Sequence, residues 1–405
     1  MSLENKILKE FSKIREMQYR SYPEMRITDE ETYKTIKGTS FIKILIKGLL
    51  SFFSFQTGKK KYFILGTRER DFISSLPKKE TIIIVQSFRE VLFAFQKGFN
   101  FIYMGLLQYQ MIRAFIENDH KVIKHLTRKV TKIISHSIGS PLLIYFTDVH
   151  PAEILFRIVT EATEKKFTTV CGQHGVFLNV NKPDFVYEGK YSDYFLATGN
   201  SQEKVAPNKI GNKVKVINLG PLFDIPNVKD NSDLEIVLVS NGGADVDKAR
   251  SNLTAKIILD ISKILEDNKI NYVIKPHPSD DLRIFKENKH IYLGDKGSLI
   301  SNKARIFMGF VSTLLYEAHV CGHTIAEIKL NKSNHLLNHE ENNSFFIDHT
   351  FYENDLEAIG RVFSPMSSLK KKNVEDFYLK SLQSRLKSCL NKIDQDKQKE
   401  TFLYE

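Results

Sequence analysis

Short apolar runs that alternate with helical patterns are the feature that most constrains how this chain can fold. Several of the runs are apolar on both faces, as are the strands of a parallel sheet covered by helices. Helix-like stretches such as 151–166 and 247–268 lie between them, and strands that alternate with helices indicate βαβ units and an α/β fold. The predicted strands are 61–67, 81–87, 100–107, 141–149, 167–173, 193–199, 234–240, 271–276, 304–310 and 323–330.

The length of the chain, 405 residues, favours two domains over one. Residues 221–233 combine two prolines with a polar run before a fresh strand, which predicts a boundary. Two Rossmann-like, doubly wound domains that face a central cleft would bind a ligand at the carboxyl ends of their strands. We predict a helical N-terminal extension, an acceptor domain, a nucleotide-donor domain and a C-terminal helical tail, at 1–60, 61–222, 234–370 and 371–405.

The net charge indicates which kinds of partner the chain can bind, and the cysteines bear on metal sites, disulfides and cellular location. Lys and Arg outnumber Asp and Glu by 59 to 48, a net charge of +11 that predicts anionic partners such as nucleotides, anionic sugars, nucleic acid or a membrane surface. Three distant cysteines without CxxC spacing argue against a zinc site or a disulfide framework. With no signal-peptide pattern and no long apolar span, we expect a cytoplasmic protein.

One stretch, 41–61, suggests contact with a membrane. It is rich in Ile, Leu and Phe, contains Lys43 and Lys47, and ends in three lysines. Such an amphipathic element could lie on the anionic inner face of a membrane. The alternative is a helix packed on the first domain, with its lysines reaching solvent.

The sequence Lys275-Pro276-His277-Pro278 stands at the end of a predicted strand. Lys275 and His277 each precede a proline, which favours extended backbone, and the prolines cannot continue a central strand. Two positions apart in an extended chain, the lysine and the histidine point to the same side. The motif predicts one fixed and one titratable cation at a phosphate site; the alternative is a simple strand terminator.

A second motif places hydroxyl groups where a strand gives way to a helix. Ser312 and Thr313 open a predicted helix with Gly322 at its carboxyl end. The N–H groups and dipole of a helix N-terminus favour a phosphate. Glu317, one turn further, could accept hydrogen bonds from ribose; alternatively Ser312 is an ordinary N-cap and Glu317 faces solvent.

A glycine-bearing turn follows the first strand of the second domain. Gly242 and Gly243 would let the backbone approach a ligand closely. Asp245 and Asp247 have the D-x-D spacing of some metal-dependent sugar transferases. Acidic residues in the first turn of a helix are expected from capping alone, so we expect neither a metal nor a cofactor.

In the first domain, polar residues follow two predicted strands. Asp148 and His150 lie at one strand end, and Asp148 could act as a general base or cap the next helix. Gln173 and His174 belong to a predicted loop that lines the cleft. His174 is a competing base or a ligand to acceptor anions, and His150 and Gln173 are predicted on the acceptor side.

The order of the two motifs in the second domain resembles that of GT-B fold glycosyltransferases of bacterial surface polysaccharides. The resemblance is closest to enzymes with cytidine-activated donors: bacterial sialyltransferases and polysialyltransferases, Kdo transferases and CDP-glycerol glycerophosphotransferases. In these families an HP motif and a Ser-Ser or Ser-Thr pair hold the donor phosphate. The resemblance implies this role for His277-Pro278, Ser312 and Thr313, and makes Glu317 a ribose contact. No D/E-D-G base motif occurs in the first domain.

The function predicted from this resemblance is metal-independent glycosyl transfer. A sialic acid-like or Kdo-like sugar would move from a CMP-activated donor to an anionic or lipid-linked glycan, in capsule or lipopolysaccharide synthesis. The alternatives are a CDP-polyol phosphotransferase, a uridine-nucleotide-sugar transferase or epimerase of the same fold, and a basic protein that binds nucleic acid or membrane. No RNP-type or helix-turn-helix signature occurs, so no nucleic-acid partner is expected.

Overall fold

We describe the fold from a computed structural model of the chain. Some predictions lie outside the described residues: those for His174, Gly242, Gly243, Pro278, Asp245 and Asp247, and that for 41–61 except its last five residues. The structure describes residues 2–21, 26–27, 29–31, 33–34, 57–173, 189–240, 248–277, 280–294, 296–300, 302–310, 312–330, 346–366 and 368–402.

The chain forms two compact units and passes from the first to the second between Phe223 and Asp224. The first unit is built on a seven-stranded sheet with the order β3-β2-β1-β4-β5-β6-β7, in which all neighbours are parallel. Its strands are β1 (Lys60–Leu65), β2 (Thr81–Val85), β3 (Asn100–Tyr103), β4 (Ser137–Tyr145), β5 (Thr168–Gly172), β6 (Tyr194–Ala197) and β7 (Lys215–Asn218).

Helices cover both faces of this sheet. Crossovers between parallel strands are right-handed in nearly all proteins. This rule places α2 (Arg70–Ser74) and α3 (Phe88–Lys97) on one face, where both contribute to one core cluster, and the helices after β3 on the other. There α1 (Leu3–Ser21) packs against α4 (Leu107–Glu117), α5 (His120–Ile134) and α6 (Pro151–Glu161). A further helix, α7 (Asn200–Ile210), lies between β6 and β7.

The second unit contains a five-stranded parallel sheet with the order β10-β9-β12-β13-β14, and a separate pair, β8 with β11. The strands are β8 (Val228–Lys229), β9 (Glu235–Val239), β10 (Asn271–Lys275), β11 (Asn302–Lys303), β12 (Ile306–Gly309), β13 (Thr324–Lys329) and β14 (His349–Tyr352). The helices are α8 (Lys248–Asp267), α9 (Lys296–Ile300), α10 (Thr313–Val320), α11 (Glu357–Phe363) and α12 (Asp376–Leu379).

The strand order reverses at one point in each sheet. In the first sheet the reversal lies between β1 and β4, and in the second it lies between β9 and β12. Helices that follow the two strands at such a point leave on opposite faces, so a crevice opens at their carboxyl ends. The predicted α/β class with two doubly wound parallel sheets is therefore confirmed.

The last helix, α13 (Leu382–Phe402), belongs to the first unit. Its apolar side joins the core beneath the first sheet through Leu382, Leu386, Cys389, Leu390 and Ile393. The fully buried guanidinium of Arg385 donates to the carbonyl oxygens of Leu219, Pro221 and Phe223, at 2.8, 2.8 and 2.7 Å. The sequence predicted a helix here but named no partner for it.

Within the described part of the chain, no helix is both long enough and apolar enough to cross a bilayer.

Candidate functional site

The two phosphate-binding motifs predicted from the sequence reach the same edge of the second sheet. Lys275, the last residue of β10, pairs with Val239 of β9, and Val239 pairs in turn with Gly309 of β12. Neighbouring strands lie about 4.8 Å apart, so the two motifs begin within about 10 Å of each other. This carboxyl edge also contains the reversal between β9 and β12, where ligands of doubly wound sheets bind.

Gly309 lets the backbones of β9 and β12 approach closely at this edge. A Cβ atom at this position would lie 2.3 Å from the carbonyl oxygen of Val239. The obstructing atom belongs to the backbone, so it cannot move aside as the end of a flexible side chain could. The sequence of the motif therefore requires glycine at the last position of β12.

The N-terminus of α10 is built as the sequence predicted. Ser312 is the N-cap, and its Oγ accepts a hydrogen bond from the N–H of Leu315 at 3.4 Å. Thr313 is the first helical residue, and Gly322 follows the helix with a φ of 91°. The first N–H groups of a helix lack partners within the helix, so this end can bind an anion.

Lys275 is held in place by a segment that runs beside β10. Its Nζ donates to the carbonyl oxygen of Gly294 at 2.6 Å and lies 5.5 Å from the ring centroid of Tyr292. The segment is fixed by two backbone hydrogen bonds, from Ile274 to His290 and from Tyr292 to Ile274, both 2.8 Å. The cation therefore has a defined position at the strand end, which a phosphate site requires.

A turn fixes the backbone at His277, whose side chain is exposed. Its N–H donates to the carboxylate of Asp280 at 2.7 Å, and the N–H of Asp280 donates to the carbonyl of His277 at 3.0 Å. The hydroxyl of Ser251 on α8 lies 3.4 Å from the same carboxylate. Sequence reasoning missed Asp280; the available signal was an acidic residue three positions after the histidine.

Ser240, at the carboxyl end of β9, is a second residue that sequence reasoning missed. Its N–H donates to the carbonyl of Lys275 at 3.1 Å. The side chain is 2% exposed, and its Oγ has no hydrogen-bond partner among the described residues. Buried hydroxyls are normally hydrogen-bonded, so an unsatisfied hydroxyl between β10 and β12 points to a ligand that forms the missing hydrogen bond.

Glu317 is paired with a residue of the neighbouring helix α9. Its Oε1 accepts from Nζ of Lys296 at 2.6 Å, and its side chain is only 14% exposed. The solvent-facing alternative is therefore wrong. Contact with a ribose stays a prediction, and Lys296 joins the residues near this edge that the sequence did not identify.

In the first unit, Asp148 binds backbone N–H groups of a distant segment and does not cap a helix. Its two carboxylate oxygens accept from the N–H groups of Gly189 and Tyr191, at 3.0 and 2.6 Å. The N-cap of α6 is His150 instead, so the capping alternative is wrong. Burial raises the pKa of Asp148, and the hydrogen bonds from Tyr191 and Gly189 oppose this effect. Its role as a base stays a prediction.

Gln173 cross-links the ends of two strands. Its Oε1 accepts from the N–H and hydroxyl of Thr198, at 2.9 and 3.0 Å, and its Nε2 donates to Gln202 of α7 at 2.6 Å. The side chain is buried, whereas that of His150 is exposed. Gln173 and Asp148 thus fix the chain on either side of residues 174–188. The acceptor-side roles of Gln173 and His150 stay predictions.

Among the described residues, no group of three or more histidine, cysteine or acidic side chains is arranged to hold a metal ion.

Comparison with known proteins gives likenesses of overall structure only. No family model and no curated protein matches the chain. A glycosyltransferase from Rickettsia africae has 13% identity, covers 82% of this chain and 94% of its own, and has a TM-score of 0.45. The Anabaena protein HepE in complex with UDP and glucose has 12% identity, covers 85% and 100%, and also scores 0.45.

A third similar structure is a UDP-N-acetylglucosamine 2-epimerase, with 12% identity, coverage of 81% of this chain and 91% of its own, and a TM-score of 0.44. At such identities and scores the assignment of the fold rests on the strand orders of this chain: two parallel sheets, each with one reversal.

Proposed function

We propose that this protein transfers a sugar from a nucleotide-activated donor to an acceptor hydroxyl, and that the donor phosphate binds at the carboxyl edge of the second sheet. One observation carries the proposal. Three adjacent strands bring together the Lys275–His277 turn, the unsatisfied hydroxyl of Ser240 and the N-terminus of α10. Cations, a hydroxyl and helix N–H groups form a set suited to a phosphate.

The same groups suit the chemistry of the transfer. The acceptor oxygen forms a bond to the anomeric carbon while the bond from that carbon to the phosphate oxygen breaks, and the phosphate leaves with the electron pair. Charge that develops on the leaving phosphate would be stabilised by Lys275, His277 and the N–H groups of α10. The proton of the acceptor hydroxyl passes to a base, for which Asp148 and His174 are the candidates.

The proposal extends to the base of the donor nucleotide, which is cytosine or uracil. The resemblance of the motifs to cytidine-donor enzymes suggests CMP- or CDP-activated substrates. Uridine donors enter the proposal as well, because one similar structure is a complex with UDP and another is a UDP-N-acetylglucosamine 2-epimerase. A transferase of either kind releases its nucleotide only when an acceptor or water takes the sugar, whereas an epimerase would convert a UDP-sugar without any acceptor.

The test compares His277→Ala with His136→Ala, which removes an exposed histidine of the first unit. Each protein is incubated with CMP-, CDP- and UDP-activated sugars, and the released nucleotide is measured. Loss of a group that stabilises developing charge costs about 100-fold or more, so we expect that loss in His277→Ala alone, with unchanged melting temperatures. Wild-type rates of nucleotide release by His277→Ala would overturn the proposal.

A further inference from the structure

Helix α3 carries an apolar face that the core does not use. Its buried side consists of Phe93 and Ala94, which belong to the core beneath the first sheet. Phe88, Leu92 and Phe95 are nevertheless exposed, by 58%, 42% and 73%. Residues spaced i, i+4 and i+7 lie on one helix face, so these three form a continuous α3 stripe.

Helix α3, which carries the stripe, is capped at both ends. Ser87 and Glu90 form a capping box at the start of α3, and Gly98 ends it with a φ of 71°. The Glu90 carboxylate also accepts from the N–H groups of Thr67 and Gln86, at 3.1 and 2.6 Å. The only acidic side chain of the helix is thereby turned toward the backbone at its N-terminus.

Exposed cations border the α3 stripe. Arg89 follows Phe88 directly and is exposed. Arg70 of α2 lies beside the helix, with its guanidinium carbon 5.2 Å from the ring centroid of Phe93. An apolar face with basic residues at its border is the arrangement of helices that lie on anionic lipid.

We propose that the α3 stripe docks on the surface of an anionic lipid bilayer. Phe88, Leu92 and Phe95 enter the boundary between head groups and acyl chains, and Arg70 and Arg89 meet lipid phosphates. The net charge of +11 favours approach to such a surface. The surface is separate from residues 41–61, and the proposal does not depend on the proposed reaction.

Sedimentation with vesicles tests the proposal, with phosphatidylcholine alone or mixed with phosphatidylglycerol as the lipid. The triple variant Phe88→Ser, Leu92→Ser and Phe95→Ser removes the stripe. We expect binding to mixed vesicles to weaken about tenfold or more, because buried apolar area drives interfacial binding. The matched control replaces three scattered side chains of similar exposure by serine: Ile138, Leu282 and Leu379, which are 50%, 48% and 57% exposed.

A second variant separates the contribution of charge. Arg70→Glu with Arg89→Glu keeps the apolar side chains, and we expect it to lose about fivefold in affinity per charge removed, and only with phosphatidylglycerol present. Three results would overturn the proposal: no vesicle binding by the wild-type protein, full binding by the triple variant, or loss of binding only on Lys43→Glu with Lys47→Glu. A wild-type protein that is dimeric in solution and a triple variant that is monomeric would assign the stripe to self-association, which would also overturn the proposal.

Discussion

His323 shows how closely the fold fixes the charge of a single residue. Its side chain is fully buried; Nδ1 accepts from the N–H of Arg305 at 3.2 Å, and Nε2 lies 2.8 Å from the carbonyl oxygen of Ile300. Because a backbone N–H can only donate, Nε2 carries the ring proton. Burial lowers the pKa of His323 to about 4, so the folded protein holds it neutral.

This predicts a loss of stability in mild acid. Below pH 6.5 the unfolded chain takes up a proton at His323, whereas the folded protein does so only near pH 4. The free energy of unfolding therefore falls as the pH drops through this window, by roughly 3 kcal/mol at most. Urea unfolding between pH 7 and 4 measures it, with His323→Gln as the reference. Parallel pH profiles for the two proteins would contradict the assignment.

Ser240 allows a prediction that separates binding from stability. Because its hydroxyl has no partner among the described residues, Ser240→Ala should leave the melting temperature unchanged. Nucleotide affinity should fall by about five- to tenfold, the worth of one hydrogen bond. Ser262→Ala is the control, since the Ser262 hydroxyl donates to Leu259 and accepts from Asn288. Ser262→Ala should lower the melting temperature and leave nucleotide affinity unchanged. If Ser240→Ala instead lowered the melting temperature and left affinity unchanged, Ser240 would be structural.

At the scale of elements, the sequence identified every central strand of the two larger sheets. All ten predicted strands are present. Eight of them are central strands, which read as unbroken apolar runs, and the other two, β3 and β10, lie at sheet edges. Among the described residues, four strands were missed. Two of them, β8 and β11, are two residues long. The other two, β7 and β14, lie at sheet edges, and their exposed or half-exposed positions carry Lys215, Asn218, His349 and Thr350. Edge strands of this kind have no continuous apolar run to mark them.

The C-terminal helix α13 supplies the prediction at this scale. Arg385 satisfies three carbonyl oxygens after β7 and is fully buried. Arg385→Met keeps most of the side-chain volume but leaves those carbonyl oxygens without hydrogen bonds. The free energy of unfolding should therefore fall by about 3–5 kcal/mol. Chemical denaturation measures this change. The control, Arg361→Ala, removes an exposed pair with Asp355 and should cost about 1 kcal/mol or less; equal costs would contradict the account.

At the scale of the whole molecule, the sequence revealed motifs but not all of their partners. Ser312 as a helix cap follows from local sequence alone, and the structure confirms it. The contacts of Asp148 with Gly189 and Tyr191 join residues more than 40 positions apart, and no local pattern encodes them. The same holds for Ser240, whose significance depends on the register of β9 between β10 and β12.

The central claim is that the carboxyl edge of the second sheet binds the donor nucleotide. Hydrogen–deuterium exchange measured with and without saturating CMP, CDP or UDP tests it most directly. We expect slower exchange with at least one nucleotide in peptides containing residues 236–240, 271–277 and 312–316, and unchanged exchange in the strand ends of the first sheet. Protection confined to the first unit, or nucleotide binding that leaves these three peptides unchanged, would contradict it.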